Sequence, residues 1–386
     1  MNKKEYYLKG LSLFSNVGVA ETYLDDIGVD ILLANELNEE RAKFYKHLYP
    51  NTDMICGDIS DNIVRTSIID RCKKEKIDFI IATPPCQGMS CAGKQDPLDP
   101  RNKLITYAIE IIDIINPKFV LLENVPMQLK TYINYNGNKI LIPEYIKQKL
   151  GNKYNFNKST IINAKDYGVP QSRQRSIYLL SRKDIKYIWE FPKPDERVIT
   201  LREAIGNLPS LDPLIRQKDE RWRFPKYEIK KEEGLKVSKW HYPPTHSWHQ
   251  VEWMIHTRSG TSAFKNEIYY PKKDGRVIKG APRTYMRMDW DKAAPTVLQT
   301  SGVISTFTTV HPGRVIYDDG IDEESRQYSD PRCLSIYELL IVSSLPTDWN
   351  IPEWAKESFI RSVIGEGIPP LLIKKIVTNL INNIKK

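Results

Sequence analysis

A cysteine taken at random is most often a small buried hydrophobe, but Cys86 stands directly after two prolines in Thr83-Pro84-Pro85-Cys86-Gln87. Two fixed φ angles stiffen that backbone, and the apolar run Phe79–Ala82 ahead of it predicts a buried strand. The sulfur is therefore expected at a strand end, held toward a cleft, with the glycine-bearing stretch Gln87–Asn102 beyond it as a lid. Cys56, Cys72 and Cys333 lack such a setting and read as structural, and Cys91 carries no signal of its own. A candidate acid-base group is Glu123, in Glu123-Asn124-Val125 after the apolar Val120-Leu121-Leu122. Apolar surroundings raise a carboxyl pKa, which suits Glu123 to sharing a proton with a ring nitrogen. In Gln171-Ser172-Arg173-Gln174-Arg175 two guanidiniums alternate, so that on a strand both would face one side. Such a stripe is commonly a solvated face, but this one leads into Ser176–Leu180, where a strand could aim it at the same cleft.

A second group of residues suits a nucleoside. Phe14-Ser15-Asn16-Val17-Gly18-Val19 is a turn with a single glycine, and Glu36 follows Gly18 by eighteen residues at the end of the next apolar run. A carboxylate at that distance can accept both hydrogen bonds of a ribose diol. Asp58, after a third apolar stretch, can accept the exocyclic amine of an adenine. Each acid alone reads as a surface residue; three positions at one sheet edge favour a nucleoside ligand.

These residues need elements to hold them. Leu11–Phe14, Ile31–Asn35, Phe79–Ala82 and Phe119–Glu123 are predicted strands, with helices over 19–26, 39–48, 62–75 and 103–116 between them. Such alternation predicts an α/β fold with a doubly wound, mostly parallel sheet, whose ligands bind beyond the carboxyl ends of the strands. From about Trp189 the pattern breaks, and 190–325 is expected to be a smaller, irregular or β-rich second domain. Residues 326–386 are expected to return to the first domain, 1–189, and to close with an amphipathic helix over Lys375–Lys386. Of the net charge of +9, +7 lies in 211–300, together with five of the eight tryptophans. Basic side chains interleaved with aromatics suit phosphate contact and base stacking. His241, His246, His249 and His256 lack the spacing of a zinc site and no cysteine joins them, so no metal is expected. The five cysteines form no C-x-x-C pair, no apolar run approaches a membrane span and the first residues lack a secretory signal. A cytoplasmic protein is expected.

Taken together, Pro-Pro-Cys-Gln at 84–87, Glu-Asn-Val at 123–125 and Gln-x-Arg-x-Arg at 171–175 resemble the cytosine-5 DNA methyltransferases of bacterial restriction-modification systems. Asp99-Pro100-Arg101-Asn102-Lys103-Leu104, Arg332-Cys333-Leu334-Ser335 with Glu338, and Gly365-Glu366-Gly367-Ile368-Pro369-Pro370 follow in the family's order. The resemblance implies a Rossmann-like fold and S-adenosyl-L-methionine as methyl donor, with S-adenosyl-L-homocysteine as product. It implies Cys86 as nucleophile, Glu123 on the ring nitrogen of a flipped cytosine, Arg175 on its carbonyl oxygen and Arg173 nearby, on phosphate or beside the sulfur. Phe14 would pack on adenine, Glu36 hold ribose and Asp58 the adenine amine, with Ser15, Asn16, Val17, Gly18, Leu37, Ile59, Pro84, Leu104, Glu366 and Gly367 completing the cofactor site. Gln87, Ser90 and Arg101 would meet DNA beside the catalytic cleft. Lys272, Lys273, Arg276, Arg283 and Arg287 would do so from 190–325, the place of the target-recognition domain. The implied partners are double-stranded DNA and a separate cognate restriction endonuclease; a monomer is expected.

This chain departs from the family at Ser12 and Asn16, where Asp and Gly are usual, at Leu37, where a large aromatic is common, at Thr83 for Gly, and at Glu366 for Asn. All but Thr83 concern cofactor contacts. An RNA cytosine methyltransferase is a rival that the long basic segment disfavours. A DNA-binding protein without activity would have no need of Cys86, and an exocyclic-amine methyltransferase would carry Asp or Asn before the prolines, where Thr83 stands.

Overall fold

The computed structural model describes residues 7–85, 100–273, 275–281, 283–322 and 325–385, with backbone alone at Pro100 and Arg101. Its first part alternates as the apolar runs predict: β1 (Leu8–Leu13), β2 (Val29–Glu36), α1 (Glu39–Leu48), β3 (Asp53–Cys56), α2 (Asn62–Glu75), β4 (Phe79–Ala82), α3 (Leu104–Ile115) and β5 (Phe119–Asn124). The stretch expected to be helical over 19–26 instead makes two 3-10 turns, Val19–Glu21 and Asp25–Ile27. Gly18 and Gly28, at φ 82° and 86°, bracket it, and the interval is too short to sustain a helix of its own. Beyond β5 come a hairpin of β6 (Tyr132–Tyr135) and β7 (Asn138–Leu141), then α4 (Ile142–Leu150), β8 (Tyr154–Phe156), β9 (Ile161–Asn163) and β10 (Gln174–Arg182). The rest of the chain carries α5 (Leu201–Ile205), α6 (Tyr227–Val237), α7 (Trp248–Ile255), α8 (Ile336–Val342), α9 (Glu357–Glu366) and α10 (Pro370–Ile384).

Among the described residues one sheet runs in the order β3-β2-β1-β4-β5-β10-β8, with β9 also paired to β10. The strands from β3 to β5 are parallel, and β10 lies antiparallel against β5, β8 and β9. The chain leaves β1 toward β2 and β3 and returns on the other side of β1 as β4. The crevice beyond the ends of β1 and β4 is therefore the topological switch point, where ligands of such sheets bind. Both faces are covered, which is why β4 and β5 read as unbroken apolar runs. On one face Ile105, Ala108, Ile109 and Ile112, at helical spacing along α3, pack with Ile68 of α2 and Ile146 of α4. On the other face α10 lays Leu372, Ile373, Ile376 and Leu380 against the sheet beside Trp189. Burying each such Leu or Ile contributes about 1.5–3 kcal/mol.

Residues 190–325 are largely irregular, as expected, but their longer elements are helical and their strands are only two or three residues long. Val251, Trp253 and Met254 of α7 bury into a small separate core with Ile215, Ala263, Tyr285, Ile304, Val310 and Cys333. A buried ionic network joins that core to α8. Arg332 donates to Asp330 at 2.7 Å and to both oxygens of Glu338 at 2.7 and 2.9 Å. None of the helices among the described residues is long and apolar enough to cross a membrane.

Candidate active site

The chain leaves β1 through a contorted turn, with Phe14 at φ 58°, Asn16 at 52° and Gly18 at 82°. A Cβ on Gly18 would lie 2.2 Å from the Tyr49 ring, so only glycine fits there. The turn is pinned to Glu36, whose Oε2 accepts the Asn16 N–H at 2.9 Å while Oε1 accepts the Asn38 N–H at 2.9 Å. Each carboxylate oxygen keeps a lone pair for a further donor. Asp58 is exposed beside the buried Ile59 and accepts the Ser60 N–H at 2.8 Å, and Leu37 is 65% exposed. Phe14 is half-buried at the rim, and Ser15 and Val17 are buried behind it.

Glu366, at the end of α9, faces this turn. It accepts from Arg41 of α1 at 2.7 Å, from Gln299 at 2.6 Å and from the Asn16 amide nitrogen at 3.4 Å. The close approach needs Gly365, where a Cβ would sit 2.3 Å from the Leu298 carbonyl carbon. Beneath the turn Ser12 and Tyr45 both donate to Glu21, and burial pushes the Glu21 carboxyl up to about 7. Neither Glu21 nor Arg41 stands out in the sequence. The one signal for Glu21 is the missing acid at Ser12, since Glu21 brings a carboxyl to that place from nine residues further on.

At the neighbouring strand end the Thr83 N–H donates to Leu13 O at 3.2 Å and its hydroxyl to Phe14 O at 3.1 Å. Buried Asn124 donates to Pro84 O at 3.1 Å while its own oxygen accepts the Val125 N–H at 2.8 Å. Thr83 and Pro84 are thereby tied to β1 and β5. Cys86, Gln87, Ser90 and Cys91, with most of the stretch expected to be a lid, lie outside the described residues, as does the Arg101 side chain. Leu104 and Pro84 are in place at the start of α3 and beyond β4. The described thiols are poor nucleophiles, because burial pushes Cys72 up to about 12 and Cys333 up to about 11, and Cys56 is raised as well.

Across the cleft, antiparallel pairing of β10 with β5 sets Arg175 against Glu123, with Nε 2.7 Å from Oε1 and both side chains about one-tenth exposed. Burial raises the Glu123 pKa, against the opposing charges of Arg175 and Arg173. Arg173 and Arg175 both act on Glu123, but they make different contacts. Arg173 precedes β10 and turns into the protein, donating to Val297 O at 2.9 Å, Gly365 O at 2.8 Å and Glu366 O at 3.1 Å. Backbone carbonyls at the end of a helix and in a loop need donors, and the guanidinium fork supplies them. Arg173 is thus a clamp under the site, and its charge still acts on Glu123.

Lys272, Lys273 and Arg276 stand exposed on a short hairpin, and Arg283 is exposed nearby. Arg287 does not join them. It is fully buried and donates to the carbonyls of Met254, His311, Asp330 and Tyr328, so it holds the small core together rather than meeting DNA. The sequence counts charge and cannot reveal which arginine the fold turns inward. It also does not reveal Arg223, stacked at 4.7 Å from Trp222 and 4.2 Å from Trp248, beside a Trp222 that is 70% exposed. His246 accepts the Cys333 N–H at 3.1 Å, and His241 bonds Ser335 and the Pro209 carbonyl.

A doubly wound sheet with an acceptor-lined turn at its switch point and a buried carboxylate-guanidinium pair beside it is the Rossmann-like fold that methyltransferases share. The model of the C-5 cytosine-specific DNA methylase family matches residues 8–382. The chain belongs to that family, and it is a DNA cytosine-5 methyltransferase of the restriction-modification type. It is 39% identical to the Type II methyltransferase M1.HgaI of Avibacterium volantium over 97% of this chain and 98% of that protein. It is 28% identical to the Type II methyltransferase M1.HphI of Haemophilus parahaemolyticus, over 95% and 84% respectively. In fold it is similar to the Entamoeba histolytica methyltransferase EhMeth, with a TM-score of 0.63 at 14% identity over 98% of this chain and 99% of that one.

Proposed function

We propose that the chain methylates carbon 5 of a flipped-out cytosine in duplex DNA through a covalent bond from Cys86. The observation that carries this reading is the buried Glu123–Arg175 pair beside the Pro84 that Asn124 holds. The acceptors at the switch point fit S-adenosyl-L-methionine: Glu36 for the ribose diol, Asp58 for the adenine amine, Phe14 for its ring, and a buried Asn16 Oδ1 without a donor among the described residues. When bound, this group supplies an electrophilic methyl on a sulfonium and leaves as S-adenosyl-L-homocysteine.

Carbon 5 of cytosine is too electron-poor to accept that methyl unaided. The Cys86 thiolate adds to carbon 6 while Glu123 gives a proton to the ring nitrogen, and the electron pair shifts to carbon 5. The raised pKa of Glu123 suits it to hold that proton, and Arg175 steadies the growing charge on the carbonyl oxygen. Once carbon 5 is methylated it loses its own proton, and Cys86 is expelled. The base must leave the duplex for carbon 6 to meet the sulfur. Residues 190–325 select the sequence, with Lys272, Lys273, Arg276 and Arg283 against DNA, and a separate cognate endonuclease cuts what this enzyme leaves unmethylated. The protein acts as a cytoplasmic monomer.

Expression in a methylation-free bacterial host, followed by base-resolution mapping, tests the reading. One short sequence is expected to carry 5-methylcytosine, and Glu123→Gln is expected to abolish the signal. Modification of the exocyclic amine, or none at all, would contradict it.

A further inference from the structure

We propose that Asn16 binds the α-ammonium group of the methyl donor and so distinguishes the complete donor from nucleosides without an amino-acid end. The inference rests on the cofactor placement given above and concerns an atom that this placement leaves unassigned. Asn16 Oδ1 is buried and accepts from no donor among the described residues. A buried amide oxygen left so is costly, and a bound donor group relieves it. The amide cannot turn away freely. Its nitrogen donates to Glu366 Oε2 at 3.4 Å, and its own backbone N–H is held by Glu36 at 2.9 Å.

The chemistry of the missing donor follows from what surrounds it. Glu36 and Asp58 take the ribose diol and the adenine amine, which leaves the ammonium as the one hydrogen-bond donor of the molecule without an acceptor. A cation also suits this corner, where Glu36 and Glu366 both lie against residue 16. Glu366 is already paired with Arg41 at 2.7 Å and accepts from Gln299 at 2.6 Å, so its part is to orient the amide.

The backbone at Asn16 has φ 52°, a conformation glycine adopts without strain, so Asn16→Gly removes the amide and keeps the turn. Calorimetry would compare S-adenosyl-L-homocysteine, its analogue lacking the amino group, and 5′-methylthioadenosine, which has no amino-acid end. Asn16→Gly is expected to weaken S-adenosyl-L-homocysteine about tenfold and to leave methylthioadenosine within about twofold. The unmutated protein is expected to lose about tenfold on passing to the desamino analogue, and Asn16→Gly to lose much less. Glu36→Ala should weaken all three ligands. If it does so while Asn16→Gly weakens none, or weakens all three equally, the role of Asn16 is overturned and the cofactor placement stands. If Glu36→Ala changes nothing, the placement fails and this inference falls with it.

Discussion

Two arginines two residues apart are expected to fail in different ways when removed. Arg175 faces Glu123, and without it burial acts on that carboxyl against a weaker opposing charge. Arg175→Ala is expected to slow single-turnover methylation about a hundredfold or more and to move the alkaline decline of the rate to higher pH, because Glu123 then keeps its proton longer. A slowed rate with an unmoved profile would separate Arg175 from Glu123. Arg173→Ala strips donors from three carbonyls and is expected to cost about 3 kcal/mol in a denaturant titration. Pro-Pro-Cys, Glu-Asn-Val and the two arginines are legible in the sequence because each is a local pattern. The Asn124–Pro84 bond joins residues forty positions apart and the Arg41–Glu366 pair spans most of the chain, so neither is legible there.

The elements around the sheet follow closely from periodicity. α2 covers the predicted 62–75, α3 falls within 103–116, and β4 matches its apolar run. Between 190 and 325 the sequence reads poorly for a physical reason: the small core is assembled from scattered side chains such as Ile215, Trp253, Tyr285 and Val310, and long-range packing leaves no period. The same packing turns Arg287 inward and leaves Lys272, Lys273 and Arg276 on a hairpin. Replacing these three together with alanine is expected to reduce the slope of log affinity for DNA against log salt by about 2–3, with the melting temperature little changed. Arg287→Ala is expected to do the reverse, lowering stability by several kcal/mol, about 3 or more. An unchanged salt slope in the triple variant would remove the hairpin from the DNA interface.

On the scale of the whole molecule, the second segment and the sheet domain are joined through buried ionic groups whose protonation the fold restrains. Burial holds His311 down to about 4 and His246 to about 3, below the ordinary 6.5, so both are neutral when folded. A depressed imidazole takes up a proton more readily in the unfolded chain, so stability is expected to fall as pH drops below 6.5. At pH 5 each such histidine removes about 2 kcal/mol relative to neutrality. Against the effect of burial, the Arg332 guanidinium beside them and the hydrogen bonds they accept hold Asp330 and Glu338 below the usual carboxylate range, Glu338 at about 2. Their contribution is present above the ordinary carboxylate pKa and is lost in turn as pH falls further. Thermal melting from neutral to acid should show a decline beginning near pH 6, shallower in His246→Gln. A melting temperature flat between neutrality and pH 5 would contradict this account of the network. The chemistry itself is tested most directly by trapping. DNA whose target cytosine carries fluorine at carbon 5 can accept the Cys86 sulfur and the methyl group but has no proton at carbon 5 to lose. With S-adenosyl-L-methionine present, the enzyme is expected to remain joined to that DNA through denaturation, and Cys86→Ala is expected to form no such adduct. An adduct that forms without Cys86, or methyl transfer at an undiminished rate by Cys86→Ala, would contradict the covalent mechanism.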